Sequence, residues 1–365
     1  MQYIFDNFST DIQITRNIPA LGDIAAKFNI KIDNTAFKPL FIADENTVIT
    51  AKKIINGAGC PCCVLKSGEE NKTWQAVETV LSAAVNAGIG RDGIFIAAGG
   101  GVISDIAGFA ASIYMRGCRF AVVSTTLLGM VDASVGGKTG FDIFGIKNMA
   151  GSFYPAQAVY MPFDCLSSLP PREWKSGYAE LIKTAVLSGD DFLDQLASNV
   201  KCCNGKISVS DDLLLEYIKR AVEYKAAVVS EDLRESGRRK LLNLGHTFAH
   251  ALESVCGFGK ISHGEAVAWG IARSCELGLA LRITPEARAH KIKSLLVSSG
   301  YECACPHPDA ENAASLFQFI ISDKKNRDGK FVFIVPDGNS AEIVQLGTEK
   351  EISLIENILK GNASS

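Results

Sequence analysis

The sequence predicts an α/β N-terminal domain built on a mainly parallel, doubly wound sheet, followed by a mostly α-helical C-terminal domain. Three observations carry this expectation. Through the first half, short apolar runs of strand length alternate with amphipathic stretches of helical spacing, the pattern of repeated strand and helix units. The strongest run, Ile94 to Ala98, leads directly into Gly99-Gly100-Gly101 and an alanine-rich helix. After Pro170-Pro171, apolar residues recur almost only at helical spacing. At 365 residues the chain exceeds one ordinary core, and we divide it into residues 1–165 and 166–365.

In chain order, Phe37–Ala43 and Cys62–Leu65 read as buried strands, the first ending in the turn-forming Asp44-Glu45-Asn46. Lys72–Ala87 reads as an amphipathic helix. At Gly99–Gly101, residues without side chains let backbone N–H groups and the positive end of the next helix approach an anion, so the strand–GGGxxxD–helix pattern, closing on Asp105, reads as a phosphate cradle. Arg119–Ser124 is a further strand, ending in Thr125-Thr126. The glycine-rich stretch from Met130 to Gly151 reads as a loop, and in it Asp132, Lys138, Lys147 and Asn148 suit a phosphate or carboxylate.

In the second half, Tyr178–Val186, Leu213–Val229 and Ala249–Cys256 have helical spacing, and Lys330–Val335 reads as a strand. Glu180 and Lys183 share one helix face in an apolar setting where an unpartnered carboxylate is costly, which makes Glu180 a candidate metal ligand. Three of the five histidines fall between Arg239 and Glu265. His246 and His250, four apart, share a helix face that Arg239 and Asn243 are expected to extend, and a glycine-containing loop returns His263, an arrangement suited to one divalent ion. Lys225 and the Asp323-Lys324-Lys325-Asn326 turn add charge.

Composition sets the context. The chain is 47% hydrophobic and 21% charged, and 37 basic residues against 40 acidic ones leave a net charge of −3. That balance gives no electrostatic footprint for nucleic acid or a membrane surface, so anion recognition must be local. The eleven cysteines include Cys60, Cys62 and Cys63, Cys202-Cys203, and Cys303 with Cys305, clusters too tight for easy internal disulfides and without zinc-ribbon spacing. With no signal-peptide pattern and no apolar run of bilayer length, the reading is a cytoplasmic protein with reduced thiols.

Taken together, AAGGGVISDIAGF, YMRG, TTLLGMVDASVGGKTG, KNMAG, PREWKSGYAELIKTA, LLNLGHTFAHALE, SHGEAVAWG and DKKN resemble the 3-dehydroquinate synthases of the sugar phosphate cyclase family, in order from about Asp44 to Asn326. The resemblance implies a Rossmann-like NAD-binding domain, a helical metal-binding domain, a site in the cleft between them and a homodimer. It places zinc, with cobalt as an alternative, on Glu180, His246 and His263. NAD would meet Asp44, Asn46, Glu69, Lys72, Gly100, Gly101, Val102, Asp105, Thr125 and Thr126, with Lys147 near the nucleotide. The substrate would meet Asp132, Lys138, Asn148, Lys183, Lys225, Arg239, Asn243, His250 and Lys324, and Arg116 would reach the neighbouring subunit's site.

The implied reaction belongs to the shikimate pathway of aromatic amino acid biosynthesis. 3-Deoxy-D-arabino-heptulosonate 7-phosphate is oxidised transiently, loses phosphate, regains the hydride, opens and closes again by an intramolecular aldol step to 3-dehydroquinate. Lys138, Asn148, Arg239 and Lys324 suit the substrate's anionic groups, and His250 suits proton transfer. Ala133, Ala249 and the GFDIFGIKN segment depart from the usual family pattern, which keeps another sugar phosphate cyclase of the same scaffold as an alternative. Two other classes are weighed against this reading. One is a metal-dependent NAD alcohol or glycerol dehydrogenase, which shares the fold but releases reduced cofactor. The other is a non-catalytic sensor, which would be expected to have lost a ligand or a substrate cation.

Overall fold

A computed structural model describes residues 1–30, 39–203, 206–257, 259–304, 313–323 and 330–361. The chain forms two compact units, Met1–Leu169 with Ile218–Arg234, and Pro170–Tyr217 with Glu235–Ser365. No helix among the described residues is long and apolar enough to cross a membrane.

The first unit begins with β1 (Gln2–Phe5), β2 (Phe8–Thr15), α1 (Leu21–Lys27), β3 (Pro39–Asp44), α2 (Val48–Ile55), β4 (Cys62–Leu65) and α3 (Trp74–Asn86). It continues with β5 (Ile94–Gly99), α4 (Gly101–Ile113), β6 (Arg119–Ser124), β7 (Lys138–Ile143), β8 (Ile146–Phe153) and β9 (Ala158–Pro162). Phe37 and Lys38 of the expected first strand lie outside the described residues. The seven-stranded sheet has the order β1-β2-β9-β6-β5-β3-β4, and every pair but β1–β2 is parallel. Alternation along the strands sorts the core into two faces. Phe41, Ala43, Ile94, Ile96, Ala98, Ala121, Val123 and Tyr160 share one buried cluster with α1 and α2. The intervening residues, such as Phe95, Phe120 and Val122, are buried on the other face, where α4 packs on β5 and β6.

This strand order fixes where a ligand can sit. From β3 the chain winds outward to β4, while from β5 it winds the opposite way to β6, so the crevice at the carboxyl ends of β3 and β5 is the topological switch point. Asp44 closes β3 and Gly99 closes β5.

The stretch expected to be a loop is ordered instead. It contains a helical turn at Gly129–Ala133 and the antiparallel hairpin of β7 and β8. Its glycines serve strand pairing: a Cβ on Gly140 would lie 2.5 Å from the Ala150 carbonyl oxygen, and one on Gly151 would lie 2.2 Å from that of Thr139. Close backbone approach therefore excludes side chains at both positions.

The second unit holds α5 (Pro171–Ser188), α6 (Asp190–Asn199), the small pair β10 (Lys201–Cys203) and β11 (Lys206–Ser208), and the start of α7 (Asp211–Glu231). It then contains α8 (His246–Cys256), α9 (His263–Ala280), α10 (Glu286–Ser298), α11 (Ala313–Asp323), the antiparallel pair β12 (Phe331–Pro336) and β13 (Ala341–Leu346), and α12 (Glu349–Leu359). Ser262 opens α9 with a capping box, its hydroxyl accepting from the Glu265 N–H while the Glu265 carboxylate accepts from the Ser262 N–H. Arg239 and Asn243 do not extend the face of α8. They lie on a separate 3-10 turn, Arg238–Asn243, because Gly245 adopts φ +81° and breaks the helix before His246.

Candidate active site

In the second unit, α5, α8 and α9 each deliver one donor to a common point. Glu180 on α5 is 1% exposed, and its Oε1 lies 3.6 Å from His246 Nε2 and 3.3 Å from His263 Nε2. One ligand atom from each of the three residues lies within 4.8 Å of the others. Both rings are held from behind. His246 Nδ1 lies 3.2 Å from the Leu244 carbonyl oxygen, and His263 Nδ1 lies 3.4 Å from Glu253 Oε1. An acceptor at each Nδ1 fixes the tautomer that turns Nε2 toward Glu180. One carboxylate and two oriented imidazoles are a donor set that fits a divalent ion of the zinc or cobalt type with a coordination position left over.

The electrostatics fit the same reading. Burial pushes His246 down to about 3, helped by the adjacent Lys183 ammonium. Burial also disfavours charge on His263, but hydrogen bonding to Glu180 and Glu253 outweighs it and carries this residue up to about 10. A cation is thus already favoured between the two carboxylates, and a metal ion would take the place of that proton.

Other residues singled out from the sequence lie in the same unit. Lys183, 2% exposed, is ion-paired with Glu180 Oε2. The His250 ring is 5.5 Å from that of His246 and lies outside the three-donor cluster, whose members are the Glu180, His246 and His263 that the resemblance implies. Arg239 is 1% exposed on the turn that packs against α5, and Asn243 donates to Glu235. Lys324 lies outside the described residues.

In the first unit, the expected nucleotide residues line the carboxyl ends of the strands. Gly100 caps α4, and Gly101 and Val102 open its first turn. A Cβ on Gly99 would lie 2.6 Å from Ile103 and one on Gly100 would lie 2.9 Å from Thr126, so backbone is left bare at the helix N-terminus, as a dinucleotide's phosphates require. Thr125 donates its N–H to the Gly99 carbonyl, and the Thr126 hydroxyl accepts from the Gly129 N–H. Asp44 has a structural part as well, since its Oδ1 accepts from the N–H groups of Asn46 and Thr47 before α2.

Lys72, 4% exposed, donates to Asp105 Oδ2 and to Asn148 Oδ1, both at 2.6 Å, with Glu69 at 3.8 Å. Burial opposes the charge on Lys72, but Asp105 and Glu69 carry its pKa well above the usual lysine range; burial pushes Asp105 up in turn. On α7, Lys225 donates to the Asp132 side chain and backbone carbonyl, both at 2.8 Å. Lys138 is exposed at the start of β7, Lys147 lies on β8, and Arg116 is exposed with φ +68° in the turn after α4. Glu253 and Asp142 escaped the sequence reading. Glu253 falls seven residues after His246, two turns along the same helix face, a spacing that could have marked it.

Three convergent donors on packed helices in one unit, and a glycine phosphate cradle at the switch point of the other, define a metal- and dinucleotide-dependent enzyme class. Within that class the N-terminal family model of 3-dehydroquinate synthase matches residues 62–176 and the C-terminal model matches residues 177–326. The 3-dehydroquinate synthase of Dichelobacter nodosus is 39% identical over 323 residues, covering 88% of this chain and 84% of the relative. The chain belongs to the 3-dehydroquinate synthase family. Among solved structures, it is similar to 2-deoxy-scyllo-inosose synthase complexed with carbaglucose-6-phosphate, NAD+ and Co2+, with a TM-score of 0.82, 24% identity and 99% of each chain covered. It is equally similar to 2-epi-5-epi-valiolone synthase from Streptomyces hygroscopicus subsp. jinggangensis 5008 with NAD+ and Zn2+ bound, with a TM-score of 0.82, 25% identity and 98% of each chain covered.

Proposed function

We propose that the chain converts 3-deoxy-D-arabino-heptulosonate 7-phosphate to 3-dehydroquinate and phosphate, as a phosphate-eliminating carbon–oxygen lyase of the shikimate pathway. The observation that supports this most directly is the buried Glu180 flanked by His246 and His263 Nε2, in a chain matched by both family models. When bound, a divalent metal on these three residues and NAD at the glycine turn supply a polarised diol and a transient hydride acceptor.

The chain's own residues then fix the substrate and move protons. Arg239 and Lys183 are buried cations suited to anionic groups of the substrate, and Lys138, Asn148 and Lys324 complete that set. Lys225 is aimed by its contacts with Asp132, which hold its ammonium in place. His250 stands beside the triad and takes the proton-transfer role. We further propose a cytoplasmic homodimer in which exposed Arg116 serves the partner's site.

The reaction borrows and returns one hydride per turnover, so phosphate should accumulate far beyond the NAD supplied, without matching NADH. Following inorganic phosphate and NADH together at substoichiometric NAD tests this. NADH appearing mole for mole with substrate loss would replace the cyclase with a dehydrogenase.

A further inference from the structure

We propose that Asp142 is a positioning residue that holds Lys72 and Asn148 in register with one another. Ladder pairing of the β7–β8 hairpin is interrupted around it: Phe141 faces Ala150 and Ile143 faces Ile146, so Asp142 alone stands opposite Lys147, Asn148 and Met149. Such an excess on one strand re-aims the local backbone. Here it puts Asn148 at φ +52°, a left-handed conformation uncommon outside glycine. Asp142 Oδ1 accepts the Asn148 N–H at 2.7 Å, the bond that holds this turn.

The same residue reaches the other side. Its own N–H donates to the Lys72 carbonyl at 2.8 Å, and it forms an isolated parallel bridge with Thr73. Asp142 therefore ties down the backbone of both residues whose side chains meet in the 2.6 Å Lys72–Asn148 hydrogen bond. Its second carboxylate oxygen, Oδ2, is buried with no hydrogen-bond partner among the described residues, a cost that a positioning role would explain.

The proposal rests on the reading of Lys72 as a nucleotide contact and Asn148 as a substrate contact; the main chain of Asp142 holds the Lys72 end and its carboxylate oxygen holds the Asn148 end, so a side-chain substitution shifts Asn148 against Lys72. Asp142→Asn keeps an oxygen at the same reach. Asp142→Glu keeps the charge but displaces the oxygen by one methylene, and Asp142→Ala removes it. NAD dissociation constants measured on the full-length protein should rise up to about tenfold for Asp142→Glu and Asp142→Ala, the upper end for one lost hydrogen bond, and stay within about threefold of the parent for Asp142→Asn. The KM for the sugar phosphate should follow the same order. If Asp142→Ala does not fold, the other two variants decide the matter. Parent-like affinity in Asp142→Glu, or an Asp142→Asn as weak as Asp142→Glu, overturns the proposal. Lys72→Ala separates the layers: unchanged NAD affinity there overturns the nucleotide reading and this proposal with it, whereas a loss there beside a parent-like Asp142→Glu overturns the positioning role alone.

Discussion

Replacing Glu253 tests whether the metal triad depends on its backing. Glu253 is 5% exposed and meets His263 through Nδ1 at 3.4 Å. Losing such a partner typically weakens metal binding 10- to 100-fold. Two features place this case at the lower end. The contact is long for a hydrogen bond, and the carboxylate raises the affinity of Nε2 for a proton as well as for a metal. Because His263 sits up at about 10, proton and metal compete at neutral pH and that part of the gain cancels. Orientation does not cancel. Glu253→Ala should therefore lower zinc affinity about tenfold, or about 1.4 kcal/mol, in competition with a chromophoric chelator at pH 7.5. His263→Ala, which leaves two ligands, should lose far more. Zinc affinity within twofold of the parent in Glu253→Ala, beside a clear loss in His263→Ala, would refute the argument that the carboxylate orients the ring.

Two further predictions concern assembly and packing. On the proposed homodimer, mixing an Arg116→Ala chain with a Lys183→Ala chain, each expected to be inactive alone, should restore part of the activity, since each mixed dimer would regain one intact site; no recovery with subunit exchange confirmed would place Arg116 in its own chain's site. Gly270→Ala would bring a Cβ to 2.1 Å from the Gly245 carbonyl oxygen, so it should cost about 1–3 kcal/mol and lower the urea midpoint with an unchanged slope, whereas an unshifted midpoint would show that α8 and α9 separate freely.

The sequence announced what depends on local pattern. β4 and β6 have the residue limits expected of them, and the GGGxxxD turn joins a strand to a helix as its composition requires. Two strands passed unnoticed although their signal was present: Ile12 and Ile14 alternate with polar neighbours in β2, and β9 is a five-residue buried run closed by Pro162. The hairpin was hidden for a physical reason, because glycines that permit close strand pairing look like glycines that permit turns. The metal set depended on a long-range fact. His246 and His250 share a helix, but spacing cannot show that Glu180 arrives from α5, whereas the cost of burying a lone carboxylate could nominate it. The return of Ile218–Arg234 to the first unit, with Lys225 reaching Asp132, was not legible, since periodicity reports which face is apolar and not what covers it.

The two halves of the chemistry are positioned by different devices, and their tolerance to change should differ accordingly. Each proposed metal donor sits on its own helix, so the triad's geometry is inherited from how closely α5, α8 and α9 pack. Glycine sets that closeness: a Cβ on Gly264 would stand 2.3 Å from the Ser176 Cα, and one on Gly245 would stand 2.9 Å from the Ile271 N. Backbone atoms cannot yield as a flexible side chain does, so a methyl group at either position displaces a whole ligand-bearing helix. The residues proposed to meet the nucleotide instead occupy separate turns after β3, β4, β5 and β6, held by individual bonds such as Asp44 to Thr47 and Lys72 to Asp105. A change in one of those turns moves one contact and leaves its neighbours in place. Substitutions at the helix glycines should therefore abolish metal binding as a unit, while those in the strand-end turns should degrade nucleotide affinity in separable steps.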